Sequence, residues 1–244
     1  MKKLFTISMF LITYSLIAQD DAATDDKIDF GLNLNHDAFF GFNPMMTFGY
    51  TINENSAITA YGIQWGAGTG SAWGQWTEFG LGYNKTLGYF DINPQIGFTM
   101  GNLLSSGASQ KGIVGDGIVP NLTVNYDSNK LEGQIYFGYY AALTDKTEVG
   151  DATNNYIHYW ANFGFKVASF LSLGAHFEEL YLSGGDINGG GELDRTDGYK
   201  WLGPYLELKK GSSGLRVSLG ANLADEDDRF AQNDFYKLTF FTSL

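Results

Sequence analysis

The sequence predicts an all-β protein: a transmembrane antiparallel up-and-down β-barrel of about twelve strands, with short periplasmic turns and longer extracellular loops. Three observations carry this. Segments of period-2 alternation run to the last residue, where Tyr236, Leu238, Phe240, Thr242 and Leu244 share one face, and Lys237, Thr239, Phe241 and Ser243 the other. The connections between segments alternate in length. The N-terminus has the pattern of an export signal.

That signal sets the domain organisation. Lys2 and Lys3 precede an uncharged apolar stretch from Leu4 to Ile17, and Ala18 offers a small residue before Gln19. Residues 1–18 therefore read as a signal peptide. The stretch is shorter than the roughly 20 residues a spanning helix needs. Residues 19–27, QDDAATDDK, read as a flexible acidic lead-in, and residues 28–244 as the barrel. The chain has no Cys, so disulfides and a lipid-modified cysteine are both excluded. Its formal charge of −12 disfavours nucleic acid, which is bound through Lys and Arg.

The first alternating segment is Ile28–Asn35, with Ile28, Phe30, Leu32 and Leu34 aligned. The second, Phe42–Ile52, aligns Phe42, Met46, Phe48, Tyr50 and Ile52. The third, Ala57–Gly66, presents Ala57, Thr59, Tyr61, Ile63 and Trp65, which read as its lipid face. The fourth, Trp76–Asn84, presents Phe79, Leu81 and Tyr83. The fifth is Leu87–Gly101, the sixth Ile118–Tyr126 and the seventh Leu131–Leu143. The eighth, Tyr156–Val167, aligns Ile157, Tyr159, Ala161, Phe163, Phe165 and Val167. The ninth is Leu171–Leu182, with a phase slip expected at Glu178–Glu179. Tyr199–Leu208, Gly214–Asn222 and Phe235–Leu244 complete the set. Each is near the 9–11 residues of a tilted membrane strand.

After even segments the connections are tight: Asn53-Glu54-Asn55, Lys85-Thr86, Asp127 to Lys130, Ala168 to Phe170 and Lys209 to Ser213. After odd segments they are long and polar: 36–41, 67–75, 102–117, 144–155, 183–198 and 223–234. Short turns on one rim and long loops on the other fit an outer-membrane barrel with both termini in the periplasm. Pro44, Pro94, Pro120 and Pro204 fall inside segments. Since proline cannot donate to a ladder, each is expected at a bulge or strand end. Trp65, Trp76, Tyr83, Tyr126, Tyr159 and Tyr236, near segment ends, are expected to form interfacial girdles.

A soluble barrel would bury the apolar face, whereas a membrane barrel turns it to lipid. The signal, loop asymmetry and aromatic content favour the membrane. The polar face then lines the lumen, with Glu78, Asp91, Glu132, His158, Lys166, His176, Glu178, Glu207, Arg216 and Lys237 as candidate lumen residues. The glycines on this face are expected to leave room for water. Pairing about the Lys209–Ser213 turn sets Glu207 opposite Arg216, an expected ion pair.

The hairpin rhythm, signal and terminal strand resemble those of small Gram-negative outer-membrane barrels, particularly the twelve-stranded group of nucleoside channels, acidic-sugar porins and the outer-membrane phospholipase. The resemblance spans Ile28 to Leu244 and is architectural, without shared motifs. It implies outer-membrane localisation, and partners among outer-membrane lipid, lipopolysaccharide and the barrel-assembly machinery.

Enzyme chemistry is sparsely supported. A hydrolase of this kind needs a Ser, a His and an acid or amide in contact. His36 and Asp37 are adjacent in the first outer connection. His158 and His176 lie on neighbouring segments, where the turn register sets His176 opposite Asn162 and Trp160 opposite Glu178. No serine falls beside them, and neither catalysis nor a cofactor is expected. Asp186, Asn188, Glu192 and Asp194, in a glycine-rich loop, are candidate Ca²⁺ ligands by donor type, without EF-hand spacing. The acidic excess in the lumen suits a passive channel for small neutral or cationic solutes. The alternative is a non-conducting barrel with binding or scaffolding loops, plugged by Trp160, Trp201, Tyr136, Tyr140 and Tyr205.

Overall fold

The computed structural model describes residues 27–66, 76–100, 105–106, 116–143, 152–225 and 233–243. The export signal, nearly all of the acidic lead-in and parts of four long loops, including Asp227, lie outside the described residues.

The strands are β1 (Ile28–Asp37), β2 (Gly41–Asn53), β3 (Ser56–Trp65), β4 (Trp76–Leu87), β5 (Phe90–Met100), β6 (Ser105–Ser106), β7 (Gly117–Asp127), β8 (Leu131–Ala142), β9 (Ala152–Ala168), β10 (Leu171–Ile187), β11 (Thr196–Lys210), β12 (Ser213–Asn222) and β13 (Asp234–Ser243). All but β6 pair antiparallel with their neighbours in the wall. The β13–β1 ladder, from Gly31–Ser243 to Asp37–Lys237, closes the sheet into a twelve-stranded barrel. Closure removes the edges that an open sheet would expose to lipid. The two-residue β6 stands outside the wall and pairs with the start of β9.

Alternation sends one set of side chains out and the other in. The outer set is apolar and exposed: Phe48, Leu81, Ile96, Ile135, Phe165, Leu173, Leu219 and Phe240 are examples from eight strands. The inner set packs against itself. Among the described residues, a buried cluster of Phe39, Phe40, Tyr61, Ile63, Trp65, Trp76, Leu180, Tyr199, Trp201 and Phe235 fills the long-loop half of the barrel.

Several sequence expectations change. The faces of β3 are inverted: Tyr61, Ile63 and Trp65 point inward and are buried, while Ile58 is exposed on the outside. Trp65 and Trp76 are thus interior residues, whereas Tyr83 and Tyr236 do lie outside. The fourth segment does not turn at Lys85-Thr86. It runs on to Leu87 and turns through Gly88-Tyr89, because Gly88 supplies the φ of +63° that a two-residue hairpin turn needs.

The prolines mark neither bulges nor, with one exception, ends. Pro44 lies just beyond the β2–β3 ladder, whose last pair is Met45–Ile63. Beside Pro94, Pro120 and Pro204, two successive pairs drop out of one ladder and the register resumes unchanged. On their other side these prolines stay in register, opposite Leu122, Ile96 and Ala175. Loss of one donor opens a ladder locally without inserting a residue.

The expected slip at Glu178–Glu179 is also displaced. Both residues pair regularly with β9, and the irregularity falls at Leu180/Tyr181 on the β11 side. Glu178 points inward, and Glu179 outward to Arg195 (3.0 Å) and Lys200 (3.2 Å).

Candidate functional site

The lumen is layered from the long-loop rim to the short-turn rim. The top layer is an aromatic stopper built by the β1–β2 hairpin. Asp37 is buried, and its Oδ1 accepts the backbone N–H groups of Phe39 (2.9 Å) and Phe40 (2.6 Å). Its Oδ2 accepts from the Asn43 side-chain amide at 3.1 Å. These bonds fold the connection tightly and turn both phenyl rings into the barrel. The Phe40 ring centre lies 4.7 Å from Trp65 and 5.9 Å from His158. Phe39 lies 5.0 Å from Tyr199, which stacks on Trp201 at 3.9 Å, and Trp201 stacks on Phe235. Tyr199 and Trp201 are 0% exposed.

Beneath the stopper lies Glu178, also 0% exposed. Its Oε1 is 2.9 Å from His158 Nε2 and accepts the Tyr199 hydroxyl at 2.7 Å. Its Oε2 is 3.0 Å from His176 Nε2 and accepts the Lys237 ammonium at 2.5 Å. A carboxylate offers about four acceptor sites, and here every one is used. The hub ties β9, β10, β11 and β13 together across the lumen. His176 Nδ1 adds a 2.6 Å contact to Asn162 Oδ1, and Lys237 also sits over the Trp160 ring. On the opposite wall Glu78 accepts the Tyr61 hydroxyl (2.5 Å) and the Trp65 indole N–H (3.0 Å).

The lowest layer is polar and partly open. Arg216 Nε donates to Glu207 at 2.9 Å from the directly opposite position on β11, and its guanidinium lies over the Tyr205 ring. Glu132 accepts the Tyr205 hydroxyl (2.9 Å) and the Ser172 hydroxyl (3.0 Å). Lys166 is bonded to Asp127 and to the Ser128 carbonyl. Asp91 accepts the Thr86 hydroxyl at 2.6 Å.

The structure therefore gathers Glu178, His158, His176 and Lys237 into one hub, and Glu132, Glu207 and Arg216 into a second network. Glu78 is held apart with Tyr61 and Trp65, and Asp91 and Lys166 stay at the rim with local partners. Sequence reasoning named Asp37 only as a neighbour of His36, and missed Phe39 and Phe40. Their signal was a pair of adjacent phenylalanines in an otherwise polar connection. His36 and Asp37 do not act together: His36 stacks against Tyr236 while Asp37 points inward. Among the described residues no serine hydroxyl is bonded to His158 or His176, and no group of three or more acidic or His side chains is placed to hold a metal. Of the loop candidates, Asp186 and Glu192 pair across a short hairpin, with Asn188 between them and Asp194 beyond it.

A family model described as a family of unknown function, DUF6733, matches residues 1–244. The chain belongs to that family. No curated protein matches the sequence. Among solved structures, the chain is similar to the COG4313 outer membrane channel from Pseudomonas putida F1, with a TM-score of 0.58 and 10% identity over 92% of this chain and 100% of that one. It is also similar to the NanC porin, with a TM-score of 0.50 and 6% identity over 87% of this chain and 98% of that one. At such identities the likeness concerns the fold alone. The fold is that of these twelve-stranded outer-membrane β-barrels.

Proposed function

We propose that this protein is an outer-membrane channel for small neutral or cationic solutes, closed in the present conformation by the Phe39–Phe40 stopper above the Glu178 hub. The carrying observation is the complete burial of Tyr199, Trp201 and Glu178 in a lumen that is polar and partly open below them. Inward carboxylates Asp37, Glu78, Asp91, Glu132, Glu178 and Glu207 outnumber the inward cations Lys166, Lys209, Arg216 and Lys237, which favours cations over anions. The stopper is one short hairpin seated mainly by ring contacts, each worth about 1 kcal/mol, so it can leave its place as a unit.

A second reading, a permanently closed barrel that binds through its loops, is supported by the saturation of Glu178, which leaves the hub no reason to open. One experiment separates the two. Planar-bilayer recording of the refolded barrel should show little conductance for the native chain. It should show frequent, cation-selective openings for the double variant Phe39→Ala, Phe40→Ala. Silence in both proteins would replace the channel reading by the second one.

A further inference from the structure

We propose that the short-turn mouth of the barrel holds a binding site for a small zwitterion, with its carboxylate against Lys166 and Lys209 and its ammonium against Glu132. A cavity of about 160 Å³ opens there, walled by Glu132, Lys166, Ser172 and Lys209 and by the turns at Ser169–Phe170 and Gly211. That is room for several waters, and enough for a small amino acid. The local register creates it. Leu171 pairs with Ala168 but Ser172 pairs with Lys166, so Val167 is an extra residue that spreads the wall below the turn.

The charges around the cavity are available. Lys209 has no ion-pair partner among the described residues. Lys166 is held by Asp127, whose side chain is 64% exposed. Such surface pairs contribute at most about 1 kcal/mol, so a ligand carboxylate can take Asp127's place with little loss. Glu132 is sheltered, at 13% side-chain exposure. It accepts from Ser172 and Tyr205, while Arg216 Nη2 stays 3.8 Å away. Two of its roughly four acceptor sites are therefore free for an ammonium group. A plain anion would meet Glu132, and a plain cation would meet the two lysines. A molecule carrying both charges satisfies all three.

The site depends on the barrel wall and not on conduction, so binding is measured without a membrane. The refolded full chain in detergent micelles is titrated with alanine, acetate and ethylammonium by calorimetry and saturation-transfer NMR. Alanine should saturate, binding at least about fivefold tighter than either single-charge probe. Lys209→Gln, at an exposed position that folding does not need, should weaken alanine about tenfold. Glu132→Gln should bring alanine down to the level of acetate. Lys85→Gln, on the same side of the barrel but outside the cavity, should change nothing. Acetate binding as tightly as alanine, unchanged affinity in Lys209→Gln, or no saturation by alanine in a heat-modifiable barrel would each overturn the proposal.

Discussion

The Tyr205 hydroxyl reaches the Glu132 carboxylate, at 2.9 Å, from three strands away. Tyr205 stands on β11, and its ring lies over Gly174 of β10 and Gly164 of β9, with Glu132 of β8 opposite Gly164. A Cβ at Gly174 would stand 2.4 Å from ring atom Cε1, and one at Gly164 2.1 Å from the hydroxyl. The arrangement recurs across the barrel. Tyr61 of β3 lies over Gly80 of β4 and Gly97 of β5, and its hydroxyl accepts from Asn121 of β7 at 2.8 Å. The inner glycines thus make room for tyrosine rings laid along the hoop direction, not for water as the sequence suggested. Each ring carries a hydrogen bond across strands that share no ladder.

Gly164→Ala should destabilise the barrel by about 1–3 kcal/mol through overpacking against that hydroxyl. Tyr205→Phe alone should cost about 1 kcal/mol, since Glu132 loses a donor. In the double variant the two costs should sum to more than the measured loss, because the nearest clashing atom is gone and of the ring only Cζ, at 2.8 Å, still presses on the new Cβ. Urea unfolding in micelles, followed by gel mobility without heating, measures all three. Strict additivity would mean that Tyr205 does not lie over Gly164.

The Glu178 hub makes a sharper demand. Among the described residues Lys237 is the one Lys or Arg bonded to the fully buried Glu178 carboxylate, so Lys237→Met should cost roughly 3 kcal/mol. Adding Glu178→Gln removes the uncompensated charge and should recover more than half of that loss. Thermal melts of the two variants beside the native barrel give the comparison. A double variant less stable than Lys237→Met would show that the remaining donors, not the charge, decide the hub's stability.

Every tryptophan among the described residues faces inward: Trp65 and Trp76 in the stopper, Trp160 stacked on Tyr136, and Trp201 on Tyr199. Trp73 lies outside the described residues. In a Trp73→Phe background, lipids brominated on the acyl chain should therefore quench tryptophan emission by less than about a tenth, because such quenching requires near contact with the lipid face. Strong quenching would restore the outward reading of β3.

The orientation of the barrel can be labelled directly, because the native chain has no Cys. A cysteine at Gly190, in the hairpin above β10, should react with an impermeant maleimide on intact cells. One at Glu54, in the turn between β2 and β3, should react only after the outer membrane is opened. The reverse pattern would exchange the rims, and with them the side from which the zwitterion site is reached.

What the sequence determined by itself was the strand set, its closure and most of its registers. These follow from local rules: period-2 alternation groups residues by face, and a two-residue turn fixes which pairs stand opposite. Glu207 with Arg216, and His176 with Asn162, are legible for that reason. Alternation cannot say which face is inside when both are apolar. In β3 it sorted Tyr61, Ile63 and Trp65 correctly as one set but turned that set to lipid, the wrong way round. Only the tertiary structure decided that, because Glu78 and Phe40, distant in the chain, give those rings their partners inside. The stopper was hidden for the same reason. Phe40 meets Trp65, Trp76, His158 and Tyr199 only once the barrel closes and brings four remote segments to one depth. Pairing between neighbours can be read along a chain, but packing across a lumen exists only after the chain has come full circle.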